Sequence, residues 1–151
     1  MNISKNYLPN SISQKDKNTQ RKNIIQSRKL YKNNKYINRK TIKSFVSKPS
    51  AHVQNAMKMY KTNSVVPSRE LSMKTKCSLK GLNQIVKKGM GAYYSSGSRP
   101  NQTPLSWGYA RLASSITGNK ASAIDHHILM KECKPDSIAL KLSKRMIAKN
   151  K

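Results

Sequence analysis

The chain has 151 residues, with 31 Lys and Arg against five Asp and Glu, which gives a net charge of +26 and a pI of about 10.4. With 36% hydrophobic and 6% aromatic residues it cannot bury a core along its full length, so one domain with basic extensions is the expected organisation. A charge far beyond the roughly 2–8 that keeps a small domain soluble points to a polyanionic partner, nucleic acid first, although an anionic membrane surface would also attract it.

Met1 to Lys22 carries charge throughout and has no apolar stretch of the signal-peptide kind, so export through a signal peptide is not expected. No run approaches the ~18 apolar residues of a membrane span. The two cysteines, Cys77 and Cys133, do not make a secreted disulfide framework and read as free thiols in a reducing compartment.

Charge is uneven along the chain. Residues 1–50 hold +12, 51–90 hold +7, 91–133 only +2, and 134–151 hold +5. Residues 1–67 read as a long basic arm and linker with little regular structure, because Leu8, Ile24, Ile25, Leu30, Ile37, Ile42, Phe45 and Val46 follow no sustained period. Within it Tyr31 and Tyr36 alternate with Lys29, Lys32, Lys35, Arg39 and Lys40. That pattern suits stacking on bases and contact with phosphates, and equally suits docking of the arm onto protein. Pro49, Ser50, Ser64 and Pro67 mark the linker.

Residues 68–133 read as a compact, mainly α domain, with a small α+β arrangement as the variant. Ser68 caps a short helix with Glu70 in its first turn, and Ser78 caps a second with Leu79, Leu82, Ile85 and Val86 on one face. Lys87 and Lys88 suit its last turn and Gly89 its stop. Residues 92–102 then form a short strand and loop, with Tyr93 and Tyr94 favouring extended backbone. Thr103 and Pro104 open the clearest helix, with Leu105, Tyr109, Leu112, Ala113 and Ile116 in one stripe and Gly118 as a left-handed cap. A helix over about 121–132 turns Ile124, Ile128 and Leu129 inward. Residues 134–151 form a basic amphipathic helix or tail, with Ile138, Leu142 and Met146 on one side and Lys141, Lys144, Arg145 and Lys149 on the other.

The segment Lys88-Gly89-Met90-Gly91-Ala92-Tyr93-Tyr94-Ser95-Ser96-Gly97-Ser98-Arg99-Pro100-Asn101-Gln102-Thr103, followed by Ser106-Trp107, Ala110-Arg111-Leu112-Ala113 and Ile116-Thr117-Gly118, resembles an uncharacterised domain family of large and giant DNA viruses and some phages. The likeness covers roughly residues 78–133. It implies an origin in a DNA virus, and with it a place in the virion and, during infection, in the host cytoplasm or nucleus.

Candidate binding residues follow from chemistry. Gly97, Ser98 and Arg99 offer free backbone N–H groups, a hydroxyl and a guanidinium fork to a phosphate, beside the helix start at Thr103. The loop is no P-loop, and Arg99, Asn101 and Gln102 can instead tie it down. Trp107 and Arg111, four apart, can stack on each other or on a base. Lys29, Lys32, Lys35, Arg39, Lys40, Lys87 and Lys88 complete the phosphate-contacting set.

Asp125-His126-His127 does not read as a metal site. Adjacent helical side chains diverge by about 100°, and Cys133 is misplaced for the common zinc spacings. No catalytic residue, cofactor or metal is expected. Three roles remain. The first is a virion-associated basic protein that binds nucleic acid, DNA before RNA. The second is a minor capsid or cement protein with its arm threaded between acidic capsid subunits. The third is a small enzyme on nucleic acid or nucleotide built around Tyr93 to Thr103; with no nucleophile or base standing out, the sequence leans away from it.

Overall fold

A computed structural model describes residues 2–150. It is 62% helical, with eight α-helices and no strand among the described residues. The helices are α1 (Gln14–Tyr31), α2 (Ala51–Tyr60), α3 (Arg69–Thr75), α4 (Leu79–Ser95), α5 (Pro104–Ile116), α6 (Lys120–Ile124), α7 (His126–Glu132) and α8 (Ile138–Lys149). They fall into two compact units, one of residues 1–48 and 90–107, the other of residues 49–89 and 108–151, with one boundary just before α2 and the other two inside α4 and α5.

The first unit departs most from expectation. Residues read as an irregular arm contain the 18-residue α1. Ser13 caps it, its Oγ accepting from the Asp16 N–H, and Asp16 sits in the first turn while Arg28 and Lys29 sit in the last. Its inner face is Gln20, Ile24 and Ser27, spaced as one helical stripe and all at most 2% exposed. Two of those three are polar, so no hydrophobic period advertises the helix. Their polar atoms are satisfied inside the unit: Gln20 Nε2 donates to the Ser98 carbonyl and Ser27 Oγ to the Tyr94 carbonyl, both at 3.1 Å.

The short strand expected at 92–96 is absent, and only the loop part of 92–102 is found. α4 runs through Gly89 and Gly91 to Ser95, and 97–103 is a loop. The last carbonyls of α4 lack intrahelical donors. Besides Ser27, Arg39 donates to the Tyr93 carbonyl, and Arg28 donates twice to Ser96, from Nε at 2.8 Å and Nη2 at 2.6 Å. Tyr31 stacks on Tyr94 with ring planes 7° apart, and Tyr36 meets Tyr94 edge-on at 4.9 Å. The two arm tyrosines therefore dock their own segment onto α4, leaving Tyr36 62% exposed.

The second unit holds most of the apolar core. Ala56 and Tyr60 of α2, Leu71 of α3, Leu82, Ile85 and Val86 of α4, Leu112, Ala113 and Ile116 of α5, Ile128 and Leu129 of α7, and Ala139 and Leu140 of α8 are all buried. Residues 49–67 are thus part of a core rather than a linker. Tyr60 donates to the Ile116 carbonyl at 2.5 Å, and burial pushes its phenol well above the usual value.

Several caps sit where the sequence places them. Ser68 and Ser78 accept from the Leu71 and Gly81 N–H groups, and Gly118 closes α5 at φ +77°. Gly89 does not end α4, because its missing side chain serves packing. A Cβ there would lie 2.6 Å from the Gly108 Cα, so α4 and α5 cross with backbones nearly touching. The helix expected over 121–132 breaks at Asp125, which leaves Ile124 62% exposed. Leu105 and Ile138 also face outward, at 49% and 54%, and the buried positions of α8 are Ala139, Leu140 and Ser143.

Cys77 and Cys133 are not free. They form a disulfide at an isolated antiparallel bridge, flanked by Ser78 N–H to Glu132 carbonyl and Lys134 N–H to Lys76 carbonyl bonds, both 2.8 Å. The bond spans 56 residues of sequence. Removing it through Cys77→Ala with Cys133→Ala frees a loop whose closure entropy is about 4 kcal/mol. Thermal unfolding with and without reductant should show a loss on the order of 10 °C in the native chain and none in the double variant.

Candidate functional site

The first unit contains a cleft of about 180 Å³ lined by Gln20, Arg39, Lys40, Thr41, Tyr93, Ser98, Arg99, Asn101, Gln102 and Thr103. It brings together three segments: the middle of α1, the irregular stretch after it, and the loop that joins α4 to α5.

Asn101 fixes the register of two of these segments. Its backbone is left-handed, at φ +61°. Its amide pairs with the backbone of buried Ile42, accepting from the N–H at 2.7 Å and donating to the carbonyl at 3.0 Å. Gly97, at φ +123°, turns the loop against α1, where a Cβ would press on Ile24 at 3.1 Å and Tyr7 at 3.2 Å. Ser98 is 1% exposed, and its Oγ donates to the Arg99 carbonyl while accepting from Arg39 Nη1 at 3.0 Å. At the far side, Thr103 and Ser106 cap α5 reciprocally: Thr103 Oγ1 accepts from the Ser106 N–H at 3.0 Å and Ser106 Oγ from the Thr103 N–H at 2.9 Å.

Arg39 is the centre of this arrangement. Its guanidinium carbon lies 3.8 Å from the centroid of the Tyr93 ring. It donates to the Ser98 hydroxyl and the Tyr93 carbonyl, and its buried Nε finds no acceptor. These partners are dipoles and a π face; none carries a full negative charge. The unit's single acid, Asp16, is held by the Ser44 hydroxyl and N–H, bonds that also draw its pKa down. Burial pulls the Arg39 pKa below its ordinary value, as desolvation of a cation does. Burial pushes the Tyr93 phenol up, against the pull of Arg39.

Five of the residues singled out in the sequence therefore belong to one region. Arg39, Lys40, Ser98 and Arg99 line the cleft and Gly97 shapes it. Lys40 and Arg99 are exposed. Lys29, Lys32 and Lys35 are exposed elsewhere in the same unit, and Lys87 is exposed in the second. Gln20 and Thr41 carry no sequence signal for this role, since only the fold brings α1 and the following stretch to the loop.

Two expectations are corrected. Trp107 and Arg111 do not stack. The Trp107 ring meets Tyr7 edge-on at 5.8 Å in the first unit. Arg111, in the second, forks onto fully buried Asp125, with Nε to Oδ2 at 3.1 Å and Nη2 to Oδ1 at 2.8 Å. Ser115 Oγ donates to the same carboxylate at 2.7 Å, and Lys88 approaches it at 3.9 Å and His127 Nε2 at 3.3 Å. Arg111 is thus engaged internally and leaves the phosphate-contacting set. His126 pairs through Nδ1 with Ser143 Oγ at 2.7 Å, and burial lowers its pKa. Among the described residues no group of three or more His, Cys, Asp or Glu could hold a metal ion.

Fold and cleft define a small, mainly helical, strongly basic protein with a discrete cationic recess. The chain belongs to a family of unknown function, DUF5824, whose profile matches residues 6–132. The match reaches well beyond residues 78–133 and takes in α1, α2 and most of the stretch expected to be an arm. No curated protein and no solved structure matches the chain.

Replacing Asp125 by Asn leaves the Arg111 guanidinium without its counter-charge in a buried setting, at a cost of about 3–5 kcal/mol. Glu70→Gln, which removes the exposed Lys74 partner one helical turn away, should cost no more than about 0.5 kcal/mol. Chemical denaturation of the two variants measures the contrast.

Proposed function

We propose that this chain is a virion-associated basic protein that binds nucleic acid, DNA before RNA, largely by neutralising phosphate. The observation that carries the reading is the distribution of charge over the two units. Residues 1–48 with 90–107 hold 14 basic and one acidic residue, and residues 49–89 with 108–151 hold 17 and four, so each is +13. All five acids have internal partners: Asp16 with Ser44, Glu70 with Lys74, Asp125 with Arg111, Glu132 with Ser78, and Asp136 with Lys76. Little of the positive field is cancelled from within, and a phosphate backbone is the polymer that cancels it by releasing its own counterions.

Residence in the virion rests on the likeness of the Lys88 to Gly118 segment to proteins of large DNA viruses. A helical rather than extended stretch at 14–31 gives less support to an arm threaded between capsid subunits. The cleft is lined by neither histidine nor carboxylate, the commonest general bases, and binding is favoured over catalysis.

Fluorescence titration of duplex DNA should give a log affinity that falls linearly with log salt, with little sequence preference. Contacts to 6–10 phosphates predict a loss of about 10³–10⁵ between about 50 and 200 mM salt. Affinity unchanged over that range would overturn the proposal, as would particles that retain the protein undiminished after nuclease has removed their accessible nucleic acid.

A further inference from the structure

The cleft of the first unit differs in kind from a diffuse basic surface, and we propose that it is a site for a single dianionic phosphate group, such as free phosphate or the terminal phosphate monoester of a nucleic-acid strand. This deepens the nucleic-acid reading and rests on it for the choice between those two sources. The site itself rests on the geometry around Arg39.

Size sets the class of ligand. About 180 Å³ is far more than the ~10–15 Å³ that admits one water, yet below the ~300 Å³ at which clefts begin to enclose whole small molecules. The recess therefore takes one functional group. Charge sets its sign. Arg39, Lys40 and Arg99 line the cleft, no carboxylate does, and the unit's sole acid is held by Ser44.

Preorganisation sets its affinity. The Arg39 guanidinium is immobilised by the Tyr93 ring, the Tyr93 carbonyl and buried Ser98, and keeps unused N–H groups, including Nε. A desolvated cation without a counter-ion is costly, and an anion entering the cleft relieves that cost. Two flexible cations at the rim then close on it. The capped start of α5, at Thr103, adds the positive end of a 13-residue helix on the same side.

A terminal phosphate is preferred to an internal one on charge alone. A monoester carries about −1.5 to −2 at pH 7, with a second pKa near 6, whereas a diester carries a single charge. No histidine or carboxylate lines the cleft. Affinity for a monoester should therefore rise from about pH 5 to pH 7.5 with the ligand's own second ionisation, while that for a diester stays level.

The test uses the full chain and exposed rim residues, because Arg39→Gln removes packing on Tyr93 as well as charge. Calorimetric titrations with inorganic phosphate, with adenosine monophosphate, and with single strands of about 12 nucleotides bearing a 5′-phosphate or a 5′-hydroxyl are compared. The proteins are the native chain, Lys40→Gln with Arg99→Gln, and Lys22→Gln with Lys48→Gln as a matched loss of two charges outside the cleft. Inorganic phosphate should bind the native and matched chains alike and the rim variant at least about tenfold more weakly, as expected for loss of charge-assisted contacts.

A 5′-phosphate advantage of about fivefold or more, lost in the rim variant, assigns the site to strand ends. Equal affinity for the two strands with intact binding of free phosphate assigns it to a free phosphate. No binding of inorganic phosphate to the native chain, or equal binding to native and rim-variant chains, overturns the proposal. If phosphate titrates as expected while duplex binding ignores salt, the site stands and the nucleic-acid reading falls.

Discussion

Five carboxylates serve 31 cations in this protein, and that scarcity governs how it is built. Each acid is committed to an internal partner. Asp125 alone holds the Arg111 fork and the Ser115 hydroxyl from a fully buried position, at the break between α6 and α7. The remaining cations must find other negative groups. Backbone carbonyls supply several: Arg28 and Arg39 complete the C-terminal end of α4, and Lys74 reaches the Lys61 carbonyl as well as Glu70. Carbonyl oxygens satisfy hydrogen bonds and favour cations at a helix C-terminus, but they do not neutralise charge. Arg39 is where that difference is greatest, because it is both desolvated and without a carboxylate.

How legible each part was depends on whether its signal is local. Ser68, Ser78, Thr103, Pro104 and Gly118 mark helix ends through their own chemistry, and the structure uses them in that way. α1 was hidden because its buried face is mostly polar: Gln20 and Ser27 are core positions only by virtue of carbonyls found more than sixty residues away. Gly89 looked like a stop because a glycine's role in close helix packing leaves no trace in its own segment. The cysteine pairing leaves no local trace either, since residues 56 apart in sequence meet only through the fold. In the cleft, Ser98 and Arg99 stand out in the sequence as polar and cationic loop residues, and Arg39 as a basic residue among tyrosines. Their convergence was not, because Asn101 and Ile42 create it by a tertiary backbone pairing.

Charge read along the sequence suggested basic flanks around a nearly neutral motif. Charge read on the two units is even. The near-neutral stretch is divided between them, and the basic N-terminal segment is the larger part of a folded unit. A partner that follows the field would thus meet a folded surface in each unit, and affinity need not depend on a segment ordering when it binds, which would subtract from the binding energy.

The first unit is discontinuous: its two pieces are separated by residues 49–89 of the other. During synthesis, Ser27 leaves the ribosome 67 residues ahead of the Tyr94 carbonyl that receives it. At about 5–20 residues per second that is a wait of roughly 3–13 s. Through this interval α1 carries its strong positive charge without the carbonyls and rings that dock it, on a ribosome made largely of RNA. The polar inner face that hid α1 from sequence reading then has a second effect: with Ile24 its only buried apolar residue, the waiting helix presents little that other nascent chains can stick to.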